Sequence, residues 1–221
     1  MKFIMNIKDF TKNYWSYYLR LENEFLSTLK YVEFEKANYK TYSLEFLKMY
    51  LSVCSEIDVV GKCLASYVNP QFKIDKYTGL NKWWMEIQGK KINGKTLNDV
   101  EVNFIDIEEI KPWDNYRVEF GKRNRCVLSN GSRTPQWWCD YNSVKHARSS
   151  FNDGIRNYSK ANLFNLSRAF SALYVLEKGL MEFVDKENLS LIEHSHLFEK
   201  QEKCVYGVEN DCFSIEKKKM I

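Results

Sequence analysis

The stretch from Ser43 to Tyr67 constrains this chain more than any other. Read at the helical period, Phe46, Leu47, Tyr50, Leu51, Val53, Cys54, Ile57, Val60 and Leu64 cover a wide arc of one helix. A helix so broadly apolar belongs in the middle of a core. Ser43 reads as its N-cap, and Asn69-Pro70 ends it, because proline disfavours helical geometry in the residue before it. Two further windows supply partners. One starts at Asn6 as N-cap with Asp9 in its first turn and carries the stripe Phe10, Tyr14, Tyr17, Tyr18, Leu21, Phe25, Leu29 and Val32. The other runs from near Ser159 to Val184, with Leu163, Leu166, Ala169, Phe170, Leu173, Leu176, Leu180 and Phe183 in register. A shorter helix is expected from Thr134 as N-cap and Pro135 as first helical residue to about Ser149, followed by a loop at Asn152-Asp153-Gly154. The fold class expected is mainly α, a helical bundle.

At 221 residues there is room for one sizeable core, so 1–221 reads as a single helical domain. Three prolines and nine glycines are too few for the turns of an all-β sandwich. The bundle is interrupted at about 68–133 by a small irregular or β insertion. Leu80 to Gln88, with Trp83 and Trp84, suits a short helix; Val100, Val102 and Phe104 alternate like a strand, and Val118–Phe120 can pair with Cys126–Leu128. From about 185 the chain is a polar tail that includes His194-Ser195-His196 and Lys217-Lys218-Lys219. No signal-peptide pattern opens the chain, and no window of about 18 apolar residues would span a membrane. The six cysteines show no CxxC or zinc-ligand spacing, so reduced thiols and a cytoplasmic location are expected. Phosphate-binding glycine loops, dinucleotide fingerprints and HExxH are lacking, so neither cofactor nor metal is expected.

Two features could carry chemistry. Asp58 falls beside Leu47, Leu51, Cys54 and Ala65 at the edge of the apolar arc, whereas Glu56 lands on the polar side. A carboxylate among apolar neighbours needs a cation or donors. That partner is either a structural one, Lys62 a turn away or a group on another helix, or a functional cation; Lys145, Arg148 or His146 is expected within ion-pair reach. The second feature is Trp137 to Arg148. Trp137, Val144, Ala147 and Phe151 form a thin apolar seam with Tyr141 and Arg148 along its edge, and Trp138, Asn142, Lys145 and His146 occupy the opposite arc. Imidazole, cations, amide and phenol within a few turns are the groups that phosphate recognition uses. The plainer alternative is that His146 and Asn142 satisfy backbone groups where two helices meet. From Gly121 to Lys160, Lys122, Arg123, Arg125, Arg133, Lys145, Arg148, Arg156 and Lys160 outnumber Asp140 and Asp153. Aromatic residues interleaved with such a run suit single-stranded nucleic acid, although a solvated cationic face is the commoner explanation.

The combination of Tyr14-Trp15-Ser16-Tyr17-Tyr18, Cys54-Ser55-Glu56-Ile57-Asp58, Trp137-Trp138 and above all Tyr141-Asn142-Ser143-Val144-Lys145-His146-Ala147-Arg148 resembles a family of bacterial proteins and, more distantly, HEPN-like helical domains. That resemblance implies binding or cleavage of RNA in a toxin or anti-phage setting, with a homodimer or a partner protein. Catalytic HEPN domains place an Arg a few residues before the His; here Cys139, Asp140 and Tyr141 stand there and Arg148 follows. A catalytic version would be a metal-independent endoribonuclease using the ribose 2′-OH as nucleophile. His146 would move the proton, Lys145 and Arg148 hold phosphate, Asn142 orient His146, Asp58 anchor a cation, and Tyr141 and Trp138 contact substrate. The alternatives are a non-catalytic interaction or dimerisation module using the same surface, and a sensor binding a nucleotide there.

Overall fold

The computed structural model describes residues 5–92, 94–122, 125–152, 154–184 and 192–198. It is mainly α. Helix α1 (Ile7–Phe10), a π-helical turn (Thr11–Trp15) and α2 (Ser16–Thr28) follow without a break; α3 (Leu44–Val68), α4 (Leu80–Ile87), α5 (Gln136–Ala147) and α6 (Leu163–Met181) complete the helices. The local start signals behave as their chemistry dictates. Asn6 Oδ1 accepts from the Asp9 amide at 3.0 Å, and Ser43 Oγ from the Phe46 amide at 3.0 Å.

Three boundaries differ from the expected ones. The first helix stops at Thr28 rather than Val32, where the Thr28 hydroxyl turns back onto the Phe25 carbonyl. Thr134 makes no cap: Pro135, still extended with ψ 133°, is the last residue outside α5. The last helix starts at Leu163 instead of Ser159. Asn157–Lys160 is a 3-10 turn, and Asn162 caps α6 through the Asn165 amide at 3.0 Å. Two N–H groups at that start are satisfied from elsewhere, Leu163 by the Thr41 carbonyl (2.9 Å) and Phe164 by that of Tyr39 (3.1 Å).

Helix α6 is the centre of the molecule: sixteen of its nineteen residues are buried. Its most extensive partner is α3, and α2 and α5 also pack on it, so the long first, second and last helices do meet. Phe25 sits between Phe170 and Phe104, with ring centroids 5.3 and 5.6 Å away.

The insertion contributes to this core. Trp83, Trp84, Trp113 and Tyr116 are fully buried, and Trp84 stacks on Trp113 at 4.4 Å. Its strands form separate two-stranded antiparallel ladders in place of one small sheet: β1 (Lys91–Ile92) with β2 (Lys95–Thr96), β3 (Val102–Phe104) with β4 (Glu108–Ile110), and β5 (Val118–Phe120) with β6 (Cys126–Leu128). After α5, where a loop was expected, β7 (Phe151–Asn152) pairs with β8 (Ile155–Arg156), and Gly154 at φ 76° supplies the left-handed turn residue.

Residues 192–198 pack onto α2. Glu22, fully buried, accepts three bonds of 2.6 Å, from the hydroxyls of Tyr18 and Ser195 and from the His196 amide. The Trp15 indole donates to the Glu193 carbonyl at 2.7 Å. The rest of the tail, including Lys217-Lys218-Lys219, Cys204 and Cys212, lies outside the described residues. Cys54, Cys63, Cys126 and Cys139 are free thiols. No described helix is long and apolar enough to cross a membrane.

Candidate nucleic-acid interface

Helix α5 is held by its inner face. Trp137 donates to the Pro112 carbonyl at 2.9 Å, and its own carbonyl accepts the Tyr50 hydroxyl. Asp140, buried, is the charged anchor: Lys160 pairs with it at 3.3 Å, and the amides of Gln136 and Asn165 donate to it at 3.1 Å. Asp140 stands three residues after Trp137 and four before Val144, on the buried seam, and that spacing could have identified it. Phe151, expected on the seam, is instead exposed on β7.

The sequence-derived site residues divide. His146, Lys145 and Arg148 line one cleft of about 830 Å³ with Arg156 and Tyr158. All four cationic or titratable side chains are exposed. Leu44, 73% exposed, forms an apolar edge. Among the described residues, no Asp or Glu lines this groove, and none of Lys145, Arg148 and Arg156 has an ion-pair partner. Lys145 lies over the Tyr141 ring at 5.4 Å. Arg156 was part of the basic run without being singled out; β7–β8 brings it beside Arg148.

Three expectations fail here. Asp58 makes no ion pair with Lys145, Arg148 or His146. It pairs with Lys62 one turn along its own helix and accepts from the Trp83 indole at 3.0 Å, so its task is to seat α4. Tyr141 lines neither of the two clefts: it is buried, edge-on to Tyr50, and its phenol is pushed up to about 12 by burial, with nearby Cys54 and Asp58 adding to the shift. Asn142 does not orient His146; its amide donates to the Trp138 carbonyl at 3.1 Å.

Asn142 and Trp138 line a second cleft, also about 830 Å³, between α5, α4 and the β5–β6 ladder. Arg125, the remaining exposed cation of the basic run that lines a cleft, is there, whereas Lys160 is consumed by Asp140. Among the described residues, no three His, Cys, Asp or Glu side chains are grouped so as to hold a metal ion.

A further cluster went unrecognised in the sequence. Glu177 of α6 is completely buried, and neither carboxyl oxygen has a hydrogen-bond partner among the described residues. Burial pushes its pKa well up, and Glu56 adds to the shift. Glu56, half-buried rather than on a solvated face, is itself pushed up to about 7 by burial. Tyr14, in the π-helical turn, donates to Cys63 Sγ at 3.3 Å nearby, and both groups are also raised by burial. The available signal was position: Glu177 follows Leu173 by four residues and precedes Leu180 by three, within the apolar stripe.

No family model, no curated protein and no solved structure matches this chain.

Proposed function

We propose that the groove formed by Lys145, His146, Arg148 and Arg156 binds single-stranded RNA, as the resemblance to HEPN-like domains implies. One observation carries this reading. Cations without acidic partners converge on one open groove, where in a structural cluster each would be neutralised. Arg and Lys offer charge-assisted contacts to phosphate oxygens, and Tyr158, edge-on to the exposed Tyr42 ring, lines the groove. Cleavage through the ribose 2′-OH would fall to His146, the single imidazole in the groove. A toxin or anti-phage role follows from the same resemblance.

The exposed apolar side chains of the β7–β8 ladder, Phe151 (69%) and Ile155 (56%), favour the second reading, an interaction or dimerisation surface. The two readings separate in one experiment on the purified chain. With a labelled single-stranded RNA, R148A/R156A is expected to lose binding by about tenfold or more, while H146A keeps binding and abolishes any cleavage. Unchanged RNA binding in R148A/R156A, with a shift from dimer to monomer in F151A/I155A, would favour the interaction surface instead.

A further inference from the structure

The two clefts lie in sequence along α5, the second at its C-terminal end, where every residue from Lys145 to Ser150 contributes. Trp138, Cys139 and Asn142 open into the first, and Lys145, His146 and Ser149 into the second. These positions follow the three- and four-residue steps that keep side chains on one helix face. Cys139 and His146 are two turns apart, about 10 Å along the axis. Two to three stacked nucleotides, at about 3.4 Å each, span that distance.

The first cleft differs chemically from the basic groove. Its walls combine aromatic rings with polar side chains, among them Glu86, which accepts from the Asn69 amide, and Lys82, which is paired with Asp75. Tyr77 and Phe120 are 76% and 57% exposed, and Trp138 and Phe72 line the cleft with them. Exposed rings on two separate elements of one cleft offer planar faces on which a base can stack. The polar groups are arranged by bonds that leave complementary valences unused. The Tyr116 hydroxyl donates to Asn81 Oδ1 at 2.5 Å, which leaves the Asn81 amide N–H groups to donate. Asn142 spends its N–H on the Trp138 carbonyl, which leaves its Oδ1 to accept. A donor and an acceptor amide between aromatic walls match the edge and faces of an unpaired nucleobase. Arg125, exposed and without an ion-pair partner among the described residues, lines the same cleft and can meet the attached phosphate.

We propose that the aromatic cleft is a base-holding subsite for the strand whose phosphates occupy the basic groove. This inference rests on the RNA-binding reading and sharpens it: the ligand is an unpaired strand with at least one base turned into the cleft, and a duplex is excluded.

The test compares a labelled RNA decamer with an abasic decamer of the same sugar-phosphate backbone, both by fluorescence anisotropy. The decamer is expected to bind more tightly. Y77A and F120A, both at exposed positions, and N142A as a third variant should each weaken decamer binding by about tenfold, since stacking contributes on that scale. They should leave the abasic strand unaffected, whereas R148A/R156A weakens both ligands. Equal binding of the two decamers, or no loss in Y77A, F120A and N142A, overturns the base subsite and leaves the basic groove standing. If neither strand binds the wild-type chain, the groove reading falls and the subsite with it.

Discussion

At the scale of single residues, the acids divide by what surrounds them. Asp140 and Glu22 are buried and fully supplied with donors, and Asp58 has a cation and an indole. Glu177 has neither, and Glu56 lies near it. Both carboxyls are held above their ordinary value by burial, so the folded chain favours their protonated forms. The sign follows from linkage. Their contribution to stability is complete below the ordinary carboxylate range and is lost as pH rises through about 7, where Glu56 ionises. E177Q removes the buried charge at nearly constant volume. Its advantage in urea midpoint over the wild type should be smallest near pH 4, below the ordinary carboxylate value, and grow toward pH 8; parallel pH profiles for the two proteins would contradict this.

At the scale of elements, the seat of α4 is the most demanding contact. A Cβ at Gly61 would come within 2.7 Å of the Trp83 ring, so this mid-helix glycine exists for a close approach. G61A gains about 1 kcal/mol of helix propensity and loses about 1–3 kcal/mol to overpacking against a ring that cannot retreat. A net fall in the denaturation midpoint is expected, and a rise would show that Trp83 can move. The sequence told much about these elements where the determinants are local. Asn6 and Ser43 cap with their own side chains, and the stripes of α2, α3 and α6 follow from burial period alone. It misplaced the start of α6 because that boundary is set by carbonyls of Tyr39 and Thr41, more than a hundred positions away. It left Asp58 open between Lys62, which does pair with it, and a cation of α5 for a similar reason: helical period locates a carboxylate on an arc but does not say that Trp83, from the insertion, covers it. Of the candidate site, the exposed cations were legible as a basic run. Their separation from Asn142, and the arrival of Arg156, depended on tertiary placement of the β7–β8 and β5–β6 ladders.

At the scale of the whole molecule, the buried aromatic cluster of the insertion and the docked 192–198 segment belong to one continuous core with the helices. That core holds the inner face of α5 through Trp137, Asp140 and Tyr141, and two clefts open on its remaining surface and C-terminal end. The central claim, that the basic groove takes the phosphates of a single strand, is most directly tested by the salt dependence of RNA affinity. Lys145, Arg148 and Arg156 supply the groove's lysine and arginine charges. Three phosphate contacts predict a slope of log K against log salt of about −2, falling to about −0.7 in R148A/R156A. A wild-type slope near zero, or an equal slope in the two proteins, would contradict the account.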